Sequence, residues 1–228
     1  MRRDGSAQLG DATWTQIRDQ KPIIVVPIGS CEQHGPQLPL DTDTRIASAV
    51  ADRLVAARVG LRVTPVLAIT ASGEHQGFPG TLSIGAVVMR QVIVELVRSA
   101  DWASGVVLIN GHGGNSVAVR EAVSQLHDEG RRVLNWWPRI NNGDAHAGRT
   151  ETSLMLALHP DLVRLSLAEA GRTEPLPQLI GQLRTDGVIG LSPNGVLGDP
   201  SGANAAEGEE LLAALVNDVC TRFDSWLQ

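Results

Sequence analysis

The sequence predicts a three-layer α/β/α domain built around a mostly parallel central sheet. Continuous apolar runs rich in β-branched residues suit strands that are buried on both faces. Amphipathic helical patterns alternate with these runs, and strands joined by helices run parallel with right-handed crossovers. A chain of 228 residues, 43% of them hydrophobic, can bury one sizeable core, so we expect a single domain over residues 1–228.

The first half of the chain predicts three strands and two helices. Residues 23–28 form an unbroken apolar run, which indicates a buried strand. Residues 44–57 carry an apolar stripe at helical spacing, and Thr42 or Asp43 is the expected cap of that helix. The same reasoning predicts a strand over 61–67, a helix over 87–102 and a strand over 105–110.

The second half continues the alternation and then changes character. Patterns of the same kinds predict a helix over 116–129, a strand over 132–137 and a helix over 149–158. Residues 160–200 are rich in Pro and Gly and predict irregular cover near the active site. Apolar residues recur every four positions from Leu211 to Leu227, which predicts a C-terminal helix.

Composition excludes several classes of function. Nineteen basic and 25 acidic residues give a net charge of −6, which argues against a nucleic-acid partner and an anionic membrane surface. Residues 1–6 have no apolar region after their arginines, and no apolar stretch of about 18 residues occurs, so we expect neither signal peptide nor membrane span. The two distant cysteines fit a reducing compartment, and we expect a cytoplasmic protein.

Metal-binding residues follow three of the predicted strands. Their positions are Glu32, His34 and Asp43 after the first, His112 after the third, and His146 with Glu151 after the fourth. The carboxyl ends of parallel strands share one edge of a sheet, so these groups are expected to meet. Three carboxylates and three imidazoles can hold two divalent ions with a water between them, and leave one side chain free for proton transfer.

Each of these residues also has a simpler explanation. Asp43 suits a helix cap, Asp41 competes with it as a ligand, and Glu151 can complement a helix dipole. The glycines around His112 allow a backbone anion site, which makes a non-catalytic phosphate-binding module the least favoured alternative because the loop lacks the usual nucleotide-binding patterns.

Four motifs resemble those of the creatininase family of metal-dependent amidohydrolases. Two further stretches, 144–153 and 192–201, most resemble the peptidase subfamily of mycofactocin systems. The four motifs are Gly-Ser-Cys-Glu-Gln-His-Gly-Pro-Gln-Leu-Pro-Leu-Asp-Thr-Asp (29–43), Glu-His-Gln-Gly-Phe-Pro-Gly-Thr (74–81), Asn-Gly-His-Gly-Gly-Asn (110–115) and His-Ala-Gly-Arg-Thr-Glu-Thr-Ser (146–153). The resemblance implies a creatininase-like fold.

The resemblance also implies a role for each residue. Glu32 and His112 would hold one divalent ion, His34 and Glu151 the other, and Asp43 would bridge both. His146 would transfer protons. Creatinine hydrolases of the family carry a Glu where this chain has Gly114, which disfavours creatinine as the substrate and gives Glu151 its ligand role. The residues expected to contact substrate or support the ligands are Glu74, His75, Phe78, Gly113, Gly114 and Asn115.

The implied reaction is removal of a C-terminal Val-Tyr-derived dipeptide from the ribosomally made mycofactocin precursor peptide, by attack of a metal-bridged water. The ligand set suits two ions of Zn, Fe(II) or Mn. An amidohydrolase acting on a small cyclic amide or a formamide is the main alternative. The family pattern further implies a homo-oligomer, commonly a hexamer.

Overall fold

The sheet of the computed structural model, which describes residues 7–141 and 143–228, contains four strands. These are β1 (Ile23–Ile28), β2 (Leu61–Val63), β3 (Gly105–Asn110) and β4 (Val133–Trp136), in the order β2-β1-β3-β4. Every neighbouring pair is parallel. Ile28 lies opposite Asn110, so β1 and β3 end level with each other at one edge.

Helices cover both faces of this sheet. They are α1 (Trp14–Arg18), α2 (Thr42–Ala57), α3 (Ala86–Ser99), α4 (Ser116–Asp128), α5 (Arg149–Leu158), α6 (Leu176–Leu191) and α7 (Ala205–Leu227). Short 3-10 turns lie at Leu9–Asp11, Gly73–His75, Gly113–Asn115, Pro160–Leu162 and Leu165–Leu167. One apolar cluster packs α2, α5 and α7 on the sheet and another packs α3 and α4, which confirms the three-layer prediction.

Alternation along the strands explains why their sequences are apolar throughout. In β1, Val25 faces the cluster of α2, α5 and α7, whereas Ile24 and Val26 face the cluster of α3 and α4. Successive side chains in a strand point to opposite faces, so a strand covered on both sides needs apolar residues at every position. Each such side chain, fully buried, contributes about 1.5–3 kcal/mol to stability.

Several predicted boundaries need correction. The strand expected over 61–67 ends at Val63, because Pro65 has no N–H for a ladder, and Leu67 forms only an isolated bridge with Ile28. The helix expected over 87–102 ends at Ser99. Helix α2 begins at Thr42, its cap residue is Asp41, and no side chain caps it. The capping role predicted for Thr42 or Asp43 is therefore wrong.

The prediction of irregular structure over 160–200 is wrong for 176–191, which form α6. This helix has a kink at Gly187, whose φ of 67° lies in the left-handed region that glycine tolerates. Its three glycines obscured a usable signal: Leu176, Leu179, Ile180 and Leu183 follow helical spacing, and Pro177 stands in the first turn.

The polypeptide described by the structure contains no helix long and apolar enough to cross a membrane. The prediction that no signal peptide begins at residues 1–6 concerns residues outside those that the structure describes.

Candidate active site

The loops that follow β1, β3 and β4 bring all six predicted metal-site residues together. Two groups of three side chains have ligand atoms within 4.8 Å of one another: Glu32, Asp43 and His112 form one, and His34, Asp43 and Glu151 form the other. Asp43 is common to both. Glu32, His34 and His146 form a third group of the same kind.

Asp43 lies at the centre because it stands in the first turn of α2 and points towards the strand ends. Its Oδ1 is 3.2 Å from His34 Nε2, and its Oδ2 is 3.0 Å from His112 Nδ1. Ser30 Oγ donates to the same Oδ2 at 2.9 Å. Asp41 instead pairs with Arg45 at 2.8 Å, away from the cluster. The structure therefore favours Asp43 over Asp41.

Main-chain carbonyls orient both of the central histidines. His34 Nδ1 lies 3.1 Å from the carbonyl oxygen of Glu32, and His112 Nε2 lies 2.9 Å from that of Ala71. A carbonyl oxygen only accepts, so these nitrogens carry the protons. The opposite nitrogen of each ring faces Asp43, as metal-binding histidines are commonly held.

Glu32 shows that the cluster suits a cation. Its side chain is fully buried, and neither carboxylate oxygen has a hydrogen bond. Nitrogens of His112 and His75 approach Oε1 at 3.2 and 3.3 Å, but neither is aligned as a hydrogen bond. A buried carboxylate that accepts no hydrogen bond is costly, and a bound divalent ion would satisfy it. Oxygen and imidazole donors without a thiolate fit Zn, Fe(II) or Mn.

The charges of the cluster shift the pKa values of its central groups in opposite directions. Burial alone would lower the pKa of His34, but the charge of Asp43 raises it to about 10. Burial likewise opposes the charged form of His112, yet Glu32 and Asp43 raise its pKa well above the ordinary value. Against its own burial, the pKa of Asp43 is lowered by His34 and His112. In the metal-free site, the protons of His34 and His112 therefore lie next to the carboxylates. A metal ion that binds the same nitrogens must displace these protons.

The outer groups of the cluster shift mainly through burial. Burial raises the pKa of Glu151 to about 7, although the charge of His34 opposes the rise. Burial lowers the pKa of His75 to about 4. Burial, together with the charges of His34 and His75, lowers the pKa of His146 well below its usual value. His75 and His146 are therefore neutral at pH 7.

Glu74 occupies the space beside Gly114. Its Oε1 lies 3.5 Å from His112 Nε2, and burial raises the pKa of its carboxyl. A Cβ at position 114 would overlap Glu74 Oε1 and His112 Nε2 and would lie 2.8 Å from the carbonyl oxygen of Ala71. Glycine is required at 114 because Glu74 enters the site from the 3-10 turn Gly73–His75.

A cavity of about 750 Å³ opens beside the cluster. Glu74, His75, His112 and His146 line one side, and α6 lines the other. The wall from α6 combines apolar side chains with one cation and one anion: its residues include Leu176, Ile180, Leu183, Arg184, Asp186 and Val188. A second cavity, of about 240 Å³, reaches Asp43 and Glu151 from another direction. The cluster therefore lies between two cavities.

The remaining predicted contact residues divide into two groups. Gly113 and Gly114 line the larger cavity. Asn115 is buried and joins loops: its Oδ1 accepts from Ala71 N at 3.0 Å, and its Nδ2 donates to Gly29 O at 3.2 Å. Phe78 packs against the apolar cluster of α6 and does not line the cavity.

Sequence reasoning assigned no role to Gln33 or Ser30, although both contact cluster side chains. Both residues lie inside the 29–43 motif. Their position beside predicted ligands is the sequence signal that could have indicated a role for them.

The sequence and the fold of this chain are similar to those of known proteins. The sequence model of the creatininase family, described as creatinine amidohydrolase, matches residues 10–223. The chain belongs to the creatininase family. The resemblance read from the four motifs is thereby confirmed.

Relatives of this chain carry several kinds of name, two of which bear on its substrate. A mycofactocin precursor peptide peptidase of Mycobacterium ulcerans is 48% identical, over 96% of this chain and 91% of its own length. Its namesake from Mycolicibacterium smegmatis is 47% identical over the same shares. The creatinine amidohydrolase of Pseudomonas putida is 30% identical over 70% of this chain and 75% of its own.

Solved creatininase structures share the fold. A mutant creatininase superposes with a TM-score of 0.80 at 25% identity, covering 97% of this chain and 99% of its own. A creatininase named for manganese gives a TM-score of 0.77 at 25% identity, covering 95% and 97%.

Proposed function

We propose that this creatininase-family chain is a metal-dependent peptidase that removes a C-terminal Val-Tyr-derived dipeptide from the mycofactocin precursor peptide. The relatives of 47–48% identity that carry the peptidase name support this substrate. The observation that carries the chemistry is the pair of three-residue groups that share Asp43. The bond broken is an amide C–N bond.

Two divalent ions fit the cluster in the proposed arrangement. Glu32 and His112 would hold one ion and His34 and Glu151 would hold the other, with Asp43 shared between the two groups. The oxygens of Glu32, which accept no hydrogen bond, and the carboxylates that raise the pKa of His34 support cation binding at this cluster. Divalent ions bound there supply Lewis acidity and lower the pKa of water.

His146 is the proposed proton carrier. It lines the cavity, and its ring centroid lies 4.4 Å from those of both His34 and His75. As a neutral imidazole it accepts the proton released when water attacks the peptide carbonyl, and it returns that proton to the leaving nitrogen. Gly113 and Gly114 leave backbone exposed beside the carbonyl, and Glu74 borders the entering peptide.

The larger cavity has the right size and lining for a dipeptide. Its volume of about 750 Å³ lies within the usual range for small-molecule sites. Leu176, Ile180 and Leu183 offer apolar surface to valine and to an aromatic ring. A creatinine-sized ring would leave much of this wall uncovered.

Mass spectrometry of the precursor peptide after incubation with metal-loaded enzyme tests the proposal. We expect the modified peptide to lose its C-terminal dipeptide unit, and chelator-treated enzyme to leave it intact. Parallel incubations with creatinine and a formamide test the alternative substrates. Turnover of either, with an untouched peptide, would replace the peptidase assignment.

A cytoplasmic location and a homo-oligomer, a hexamer by family resemblance, complete the proposal. Light scattering coupled to gel filtration measures the oligomer mass, and a monomer of 24.2 kDa would contradict this part.

A further inference from the structure

Gln33 lies between two histidines of the site, and its side-chain amide nitrogen approaches three possible acceptors. Nε2 is 2.8 Å from His75 Nδ1, 3.0 Å from His146 Nε2 and 3.0 Å from the carbonyl oxygen of Gly195. An amide carries only two hydrogens, so at least one of these contacts is not a hydrogen bond.

His146 decides which contact that is. Its Nε2 lies 2.8 Å from the main-chain carbonyl oxygen of Gln33, which accepts and never donates. Nε2 of His146 therefore carries the proton and does not accept from the Gln33 side chain. The two amide hydrogens go to Gly195 O and His75 Nδ1.

The orientation of the amide is fixed as well. Gln33 Oε1 accepts from the backbone N–H of Gly35 at 2.9 Å. Exchanging the oxygen and nitrogen would leave that N–H facing an NH₂ group and would set two oxygens together at Gly195. The hydrogen-bond network permits one arrangement.

This arrangement determines the tautomer of His75. Since its Nδ1 accepts from Gln33, the proton of the neutral ring is on Nε2, which lies 3.3 Å from Glu32 Oε1. His75 thus presents a positive N–H edge to a carboxylate that accepts no hydrogen bond.

We propose that Gln33 is a positioning residue that sets the proton position on both histidines. Its main-chain carbonyl holds the proton of His146 on Nε2 and leaves Nδ1 free to take up another. Its side chain holds the proton of His75 on Nε2, and through it orients Glu32. The second part rests on the proposed function, in which Glu32 binds metal.

Nitrogen NMR of metal-free protein labelled at histidine tests this directly, because the two neutral tautomers give different nitrogen shifts. The wild type should show His75 and His146 as Nε2–H tautomers. Gln33→Leu should remove the defined tautomer of His75 and leave that of His146, whose partner is main chain. Gln33→Glu, whose carboxylate accepts, should move the His75 proton to Nδ1.

The chain offers matched controls. Gln37 is a buried glutamine whose Nε2 donates to Ala147 O at 2.6 Å, so Gln37→Leu also loses a buried amide and should leave the His75 signals unchanged. His127, whose Nε2 lies 2.9 Å from Val133 O, provides a reference Nε2–H signal in every sample. His75 signals that stay fixed in both Gln33 variants would overturn the proposal.

Metal affinity provides the second readout. Removing a residue that orients a ligand typically weakens metal binding or activity about 10–100-fold, and competition titration with Zn²⁺ should show a loss of that size for Gln33→Leu. Unchanged Zn²⁺ affinity would show that Gln33 does not act through Glu32. A wild type that leaves the precursor peptide intact contradicts the proposed function, whereas the tautomer spectra still decide the role of Gln33.

Discussion

Glu151→Gln should stabilise the metal-free protein while it abolishes metal binding. Glu151 lies in the first turn of α5, and its Oε2 accepts from Ala147 N at 2.6 Å. Burial raises the pKa of its carboxyl from 4.5 to about 7, against the attraction of His34. The ionised carboxylate therefore costs folding free energy. Glutamine keeps an acceptor for Ala147 and removes that cost.

The size of the effect follows from the shifted pKa. A rise from 4.5 to about 7 corresponds to roughly 3 kcal/mol of folding free energy. The cost is absent below pH 4.5, where the carboxyl is protonated in the folded and unfolded chain, and it is complete above pH 7. Glu151 is partly exposed, so this is an upper bound. At about 2–4 °C per kcal/mol, the melting temperature should rise by up to about 10 °C.

The assay is thermal unfolding of chelator-treated wild type and variant at pH 5 and pH 8.5. The melting temperature of Glu151→Gln should exceed that of wild type by a large amount at pH 8.5 and by a small amount at pH 5. The control variant Glu169→Gln, at an exposed position, should have the wild-type melting temperature at both pH values. With Zn²⁺ at 100 times the Kd, the wild type should gain about 2.7 kcal/mol and the variant far less. A variant no more stable than wild type at pH 8.5, or equally stabilised by Zn²⁺, would refute the reasoning.

Three further predictions concern the same site. His146→Ala should keep its bound metal, measured by elemental analysis, while turnover falls about 10²–10⁴-fold; lost metal would make His146 a ligand. Gly114→Ala should displace Glu74, reduce peptide cleavage at least tenfold and also lower the unfolding temperature, because the new Cβ meets the His112 ring and the main-chain oxygen of Ala71; wild-type kinetics would contradict the overlap. Because the pKa of His34 rises from 6.5 to about 10, its stabilisation of the metal-free protein is complete below pH 6.5 and is lost as pH approaches 10. Melting temperatures should fall across that interval, and a flat profile would argue against a charged His34.

The sequence was sufficient to predict the sheet and the meeting of the six candidate residues at one of its edges, because both follow local rules. The apolar runs at 23–28 and 105–110 are strands buried on two faces, and the polar residues after them lie at one edge. Spacing alone left Asp41 and Asp43 open, and the family resemblance favoured Asp43. At the start of α2, the cap residue Asp41 pairs with Arg45 at the surface, whereas Asp43 in the first turn contacts the two histidines.

Helix α6 and the role of Gln33 were harder to predict from the sequence, for different reasons. Glycines at 181, 187 and 190 lower helix propensity, and the helix forms because Leu179, Val188 and Leu191 find apolar partners in the folded chain. Gln33 carries no charge and no metal preference. Its role depends on counting hydrogens among atoms from segments more than 40 residues apart, which spacing does not reveal.

Recognition and reaction depend largely on different elements in this protein. The outer wall of the larger cavity belongs to α6, which has its own small apolar cluster and contacts the site at the turn Gly73–His75, whereas most candidate ligands follow strands of the sheet and lie beside the two large cores. Changes at positions such as Leu183 or Arg184 alter what the cavity accepts without disturbing the packing beneath the ligands. One catalytic cluster can therefore serve different amide substrates as this helix diverges, and α6 is the place to redirect it by design.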